Sequence, residues 1–135
     1  MQDAHQTELT RAAATARKQA YAPYSRFLVG AAVRDDQGRI HAGCNVENAA
    51  YPIGTCAEAG ALAAMALAGG RRVAEVAVSG AGEHLVTPCG GCRQRLREFC
   101  GSDTAIHICD EFGTVRRTFT LAELLPASFG PENLK

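Results

Sequence analysis

Between Cys56 and Cys109 the chain alternates twice between helical and strand patterning, and this alternation limits the possible folds more than any other feature. Cys56 to Leu67 reads as a helix ended by Gly69-Gly70, and Val73 to Val78 as a strand. Cys89 to Phe99 reads as a second helix stopped by Gly101, and Thr104 to Cys109 as a further strand. Strands joined through helices pair in parallel, with the helices covering the sheet. Upstream, Phe27 to Val33 and Arg39 to Val46 flank the turn Asp35-Asp36-Gln37-Gly38 and predict an antiparallel hairpin. An amphipathic helix precedes them over residues 7–20, with Thr7 or a neighbour as its cap, and Tyr21-Ala22-Pro23 ends it. Val115 to Phe119 adds a strand, Leu121 to Leu125 a short helix, and the last residues a tail. The expectation is one α/β domain over residues 1–135, three layers in the order α-β-α around a mixed five-stranded sheet.

A chain of 135 residues suits one domain with a modest core. Its 14 basic and 14 acidic residues cancel, whereas a nucleic-acid binder carries a basic excess, so the partner expected is a small molecule or protein and not a nucleic acid. The N-terminal stretch has charges throughout and no apolar core of a signal peptide, and the run Ala59 to Gly70 is too short to span a bilayer. These features predict a soluble, cytoplasmic protein without membrane contact. In that setting the six cysteines, at 44, 56, 89, 92, 100 and 109, are expected as metal ligands or buried thiols rather than disulfides.

The chemistry concentrates at the two helix starts. Cys89 and Cys92 are one helical turn apart in Thr87-Pro-Cys-Gly-Gly-Cys-Arg, so both sulfurs can face one ion. The same spacing serves a redox dithiol or half of a structural zinc knuckle. Cys56 stands at the start of the preceding helix. Two successive strand-to-helix crossovers bring neighbouring helix N-termini to one sheet edge, where positive dipole ends favour thiolates. Three protein ligands with one open position is the layout of a catalytic zinc. Glu58, in the first turn after Cys56, can aim at the same space and suits proton transfer. Cys44, Cys100 and Cys109 lack ligand spacing and are expected as small buried hydrophobes. Cys44 is the exception that matters, because a fourth thiolate would close the site.

Cys56-Ala57-Glu58 followed by Pro88-Cys89-Gly90-Gly91-Cys92 resembles the zinc-dependent nucleoside and nucleobase deaminases. Within that superfamily the chain is similar to the short, homotetrameric cytidine deaminases. Tyr21-Ala-Pro-Tyr-Ser-Arg-Phe27, Gly43-Cys-Asn-Val-Glu-Asn-Ala-Ala-Tyr51 and Leu124-Leu-Pro-Ala-Ser-Phe129 carry that narrower likeness. The resemblance implies a cytidine deaminase-like fold, one Zn²⁺ per subunit on Cys56, Cys89 and Cys92, and Glu58 as the catalytic acid–base. It implies hydrolysis of cytidine and 2'-deoxycytidine to the uridine products and ammonia, in pyrimidine salvage. By position, Asn45 and Glu47 would bind the ribose hydroxyls, Phe27 would flank the base, and the Ala57 N–H would fix the pyrimidine carbonyl. Tyr51 and Phe129 would reach across subunit boundaries of a homotetramer. One departure from the pattern the resemblance implies stands out: many members place an arginine after the glutamate, where it can hydrogen-bond the thiolates, and here that position is Ala59. The two helix N-termini supply part of the compensation, and Arg93, beside Cys92, is not expected to supply the rest. The rival readings are a deaminase of another base or nucleoside, a non-catalytic zinc-stabilised module, and a dithiol redox protein on Cys89 and Cys92.

Overall fold

The structure is a computed structural model that describes residues 2–135; Met1 lies outside the described residues. In chain order the elements are α1 (Ala4–Arg17), β1 (Val29–Asp35), β2 (Ile40–Cys44), α2 (Ala57–Leu67), β3 (Val73–Gly80), α3 (Gly90–Phe99), β4 (Ala105–Cys109), β5 (Val115–Thr120) and α4 (Leu121–Leu124). The strands form one five-stranded mixed sheet in the order β2-β1-β3-β4-β5. Only β3 and β4 pair in parallel; β1 runs antiparallel to both β2 and β3, and β5 is antiparallel to β4.

Alternation along the strands assigns the two faces. Ala31, Val33, Val76, Val78, Ile106 and Ile108 point to one side, where they meet Ala61, Leu62 and Met65 of α2 and Leu96 of α3. Ala32 and Ala77 point to the other, beneath Leu9 and Ala13 of α1. The α1 helix starts four residues earlier than a cap at Thr7 suggests. Asp3 is the N-cap, its carboxylate accepting from Gln6 N at 2.7 Å, because an ionised oxygen satisfies a free helix N–H better than a hydroxyl does. Phe27 also falls outside the strand expected for it, since β1 begins at Val29. The Asn45 side chain explains this: its Oδ1 accepts from Val29 N at 2.8 Å and its Nδ2 donates to Phe27 O at 2.9 Å, replacing ladder pairing at that point. The C-terminal segment is not a free tail. Arg97 donates to Ser128 Oγ at 2.9 Å and pairs with Glu132 at 2.5 Å, and Gln94 donates to Phe129 O at 2.9 Å.

The small residues of α2 set how close that helix lies to the sheet. A Cβ at Gly43 of β2 would stand 2.4 Å from Ala61 N and 2.7 Å from Ala57 O, both backbone atoms of α2. Gly60 faces it, with the Gly43 Cα 3.4 Å from the place its own Cβ would occupy. The alanine-rich composition of α2 therefore serves close helix-on-sheet packing, and this contact fixes the height of the α2 N-terminus.

A buried polar knot ties the β1–β2 turn to the far end of α2. Asp35 accepts from Gln37 N, Arg39 N and Arg39 Nε, each at 2.9 Å, and lies 2.8 Å from His41 Nε2. Arg39 Nη1 donates in turn to Ala68 O, the C-cap of α2. Burial acts to raise the Asp35 carboxyl, but His41, the Arg39 and Gln37 backbone N–H groups and the Arg39 side chain overcome it and hold the group well below the usual carboxylate range.

Two outcomes follow for stability. Gly43→Ala should lower the unfolding free energy by more than about 2 kcal/mol in urea titration, since backbone must move to admit the methyl group; a change near zero would contradict the packing described. A carboxyl lower in the folded than in the unfolded state stabilises above its unfolded pKa of about 4, and that contribution fades as pH falls below it. Asp35→Asn should therefore be less stable than the parent chain at pH 7, with the gap between urea midpoints narrower at pH 3. An equal gap at both pH values would refute this role for the ionised carboxylate.

Candidate active site

Cys56 is the N-cap of α2 and Cys89 the N-cap of α3, and Cys92 lies in the first turn of α3. Two crossovers, β2 to β3 through α2 and β3 to β4 through α3, put both helix starts at the same sheet edge. In the first of these crossovers β1 sits between the two strands it joins. The three sulfurs all lie within 4.8 Å of one another, with Cys56 Sγ and Cys89 Sγ 3.8 Å apart. Sulfurs at 2.3 Å on the corners of a tetrahedron around zinc are about 3.8 Å apart, so this separation fits the ion. Among the described residues neither Cys44 nor Glu58 joins the group of ligand atoms, which leaves the triad three-fold. All six cysteines are free thiols.

The electrostatics suit a cation. Burial pushes the Cys56 thiol up, and burial followed by the nearby Glu58 charge pushes Cys92 up much further. Cys89 is instead lowered, chiefly by the backbone N–H of Cys92. A divalent cation must displace the protons that this crowding retains, so metal uptake strengthens as pH rises. Glu58 is only 4% exposed. Burial raises its carboxyl, opposed by its own backbone N–H, the Cys92 thiol and the Arg95 charge. A carboxyl raised in this way holds a proton more readily than a free one, which suits a group that accepts and returns protons.

Cys56 and Cys89, but not the fully buried Cys92, line a cleft of about 350 Å³ whose lining also includes Phe27, Asn45, Glu47, Tyr51, Ala57 and Glu58. That volume lies within the range of small-molecule sites. Three irregular segments are stitched together to build its wall. Val46 N and Thr55 N exchange hydrogen bonds with each other's carbonyls at 3.0 and 2.9 Å, and Tyr21 N donates to Asn45 O at 2.9 Å while Glu47 N donates to Tyr21 O at 2.8 Å. Phe27 is half exposed over the cleft and takes no part in the core. Ala57 is fully buried at the start of α2.

Two side chains expected at a sugar already carry structural bonds. Asn45 bridges Phe27 and Val29 as described, and retains a second N–H and a lone pair. Glu47 Oε1 accepts from Tyr24 N at 3.0 Å and Ser25 N at 3.1 Å, and its other oxygen accepts from Ser25 Oγ. These bonds, led by the Ser25 hydroxyl, keep the Glu47 carboxyl below its ordinary value and hence ionised. Sequence reasoning missed Ser25 as its anchor. Tyr51 is 74% exposed at the rim, edge-on to Tyr24 with ring centroids 5.6 Å apart. Phe129 is exposed and does not line the cleft.

The cation beside the thiols is not the one next in sequence. Arg93 is committed elsewhere, donating to Pro88 O at 2.7 Å, Leu124 O at 2.8 Å and Thr87 Oγ1 at 3.3 Å. Arg95 Nη1 donates to Cys92 Sγ at 3.8 Å. The signal for Arg95 lay in helical spacing, since residues three apart share a face.

A family model described as the cytidine and deoxycytidylate deaminase zinc-binding region matches residues 3–108. A cytidine deaminase of Sporosarcina psychrophila is 43% identical over 119 residues, covering 88% of this chain and 87% of the relative. One of Mycobacterium tuberculosis is 47% identical over 116 residues, 85% of this chain and 82% of its own length. The crystal structure of cytidine deaminase from Burkholderia pseudomallei superposes with a TM-score of 0.85 at 40% identity, covering 95% of this chain and all of that one. A sulfur triad at paired helix starts, a five-stranded mixed sheet and this extent of likeness agree: the chain belongs to the cytidine and deoxycytidylate deaminase family.

Proposed function

We propose that this protein hydrolyses cytidine and 2'-deoxycytidine to uridine and deoxyuridine with release of ammonia, serving pyrimidine salvage in the cytoplasm. The observation that carries the reading is the placement of buried Glu58 in one cleft with Cys56 and Cys89 of the thiol triad, Asn45 and Glu47. Cys56, Cys89 and Cys92 would hold the zinc, which supplies, when bound, a Lewis acid that makes water nucleophilic near neutral pH. Glu58 takes a proton from the attacking water as its oxygen bonds to C4 of the base, and passes that proton to N3. The carboxylate then takes the remaining proton from the C4 hydroxyl and delivers it to the exocyclic amine, which leaves as ammonia as the C4–N bond breaks and the C4 carbonyl forms, so one group serves as base and acid in a single turnover. Its desolvated position keeps the proton available through both steps.

The remaining residues bind and orient. Phe27 flanks the pyrimidine ring, and the Ala57 N–H, at the positive end of α2, meets the ring carbonyl. Asn45 and Glu47 receive the ribose hydroxyls with the donor and acceptor capacity left after their backbone bonds. That arrangement favours a nucleoside over a free base. Tyr51 at the rim and Phe129 beyond it complete sites near the subunit boundaries of a homotetramer. The exposed Tyr21, Tyr24, Phe27, Val46, Tyr51 and Ile53 around this mouth supply apolar surface for such a contact.

Cytidine added to the zinc-loaded protein should lose its cytosine absorbance, at a rate abolished by chelation and restored by zinc. Absence of turnover with cytidine and deoxycytidine alike, or full activity after metal removal, would reject the reading. Glu58→Gln should stay folded and zinc-loaded while deamination falls by at least about a hundredfold. Retained activity in that variant would reject the acid–base role, and a merely structural zinc module would show no change at all.

A further inference from the structure

Three thiolates and one Zn²⁺ carry a formal charge of −1, and Cys92 holds its share of that charge in a fully buried position. Burying unbalanced charge is costly, and Ala59, the residue after Glu58, has no charge to offer. Two helix N-termini supply only partial positive charge. Arg93 is held by two carbonyls and a hydroxyl, so it is not free to supply the rest.

Arg95 is placed to do so. It lies one turn beyond Cys92 on α3, and helical side chains lean back toward the N-terminus, over the residues three and four before them. Its Nη1 reaches Cys92 Sγ at 3.8 Å. The residue four before it is Gly91, and a Cβ there would come within 3.3 Å of the same Nη1. Glycine at 91 therefore leaves open the surface along which the guanidinium folds back onto the sulfur. Donor distance, helical spacing and the missing side chain at 91 all concern one contact.

We propose that Arg95 is a positioning residue for the metal centre, its guanidinium balancing the excess thiolate charge through Cys92. This rests on the zinc-dependent reading above. Arg95 itself is exposed, so solvent screens part of its charge. Removal of groups that hydrogen-bond metal ligands costs 10–100-fold in metal affinity or activity, and the exposure of Arg95 places it at the low end.

The test is competition for zinc against a chromophoric chelator of known affinity, with parent chain, Arg95→Leu and Arg95→Lys. Arg95→Leu should bind zinc about tenfold more weakly than the parent. Arg95→Lys, which keeps the charge, should recover most of that loss. The metal-free proteins should melt within a degree or two of one another, since the contact matters only when the thiolates are formed. Unchanged zinc affinity in Arg95→Leu would overturn the proposal, as would equal losses in the leucine and lysine variants. A metal-free Arg95→Leu protein that melts well below the parent would also overturn it, by assigning Arg95 to packing. A parent chain that binds no zinc would reject the functional reading itself, and this inference with it; zinc-bound, active parent protein with an indifferent Arg95→Leu would reject this inference alone.

Discussion

The architecture turns on the meeting of two helix N-termini at one edge of the sheet. Each begins with a cysteine as its cap, and neither cap uses its side chain to satisfy its own helix in the ordinary way. The free N–H groups and the dipoles of α2 and α3 make this the place in the fold where negative sulfur is least costly. Burial opposes that, pushing Cys56 and Cys92 toward the neutral thiol, so the triad is held between two tendencies that a divalent cation resolves. The fold thus brings three thiols together where a divalent cation fits, and Arg95 is the side-chain cation that reaches them.

Everything upstream sets the position of that meeting. Gly43 and Gly60 let α2 lie on β2 at near backbone contact, and the Asp35 knot fixes the other end of the same helix through Arg39. A helix held at both ends delivers Cys56 and Glu58 to one place with little freedom. On the opposite wall the chain is irregular, and polar side chains do the work that strand pairing does elsewhere. Asn45 and Glu47 each pin backbone while lining the cleft, so the groups proposed to receive the sugar are already held in place. Such sharing preorganises the wall before any ligand arrives.

Much of this could be read from the sequence because it follows from local rules. The hairpin, the two helix–strand alternations and the C-x-x-C spacing are short-range patterns, and together they foretell a five-stranded mixed sheet with a sulfur triad at one edge. What escaped was decided by particular side chains. The α1 start moved because Asp3 outcompetes Thr7 as a cap, and Phe27 left the strand because the Asn45 amide replaced its ladder bonds. Adjacency in sequence gave no reason to rely on Arg93, which is bonded elsewhere, and the helical repeat that places Arg95 beside Cys92 went unused. His107 shows the converse. It offered no ligand pattern, and it proves to be a buried histidine satisfied by Glu75 at 2.5 Å and Thr118 at 2.8 Å. The insertion of β1 between the two strands of the first crossover is a matter of topology that periodicity does not encode.

X-ray absorption at the zinc edge of the loaded protein addresses the central claim without reference to turnover. A centre built on Cys56, Cys89 and Cys92 with an open corner should show three sulfur scatterers at about 2.3 Å and one light atom at about 2.0–2.2 Å. A shell of four sulfurs, or of two, would mean that the corner is closed or that the triad does not act together, and the account would fail.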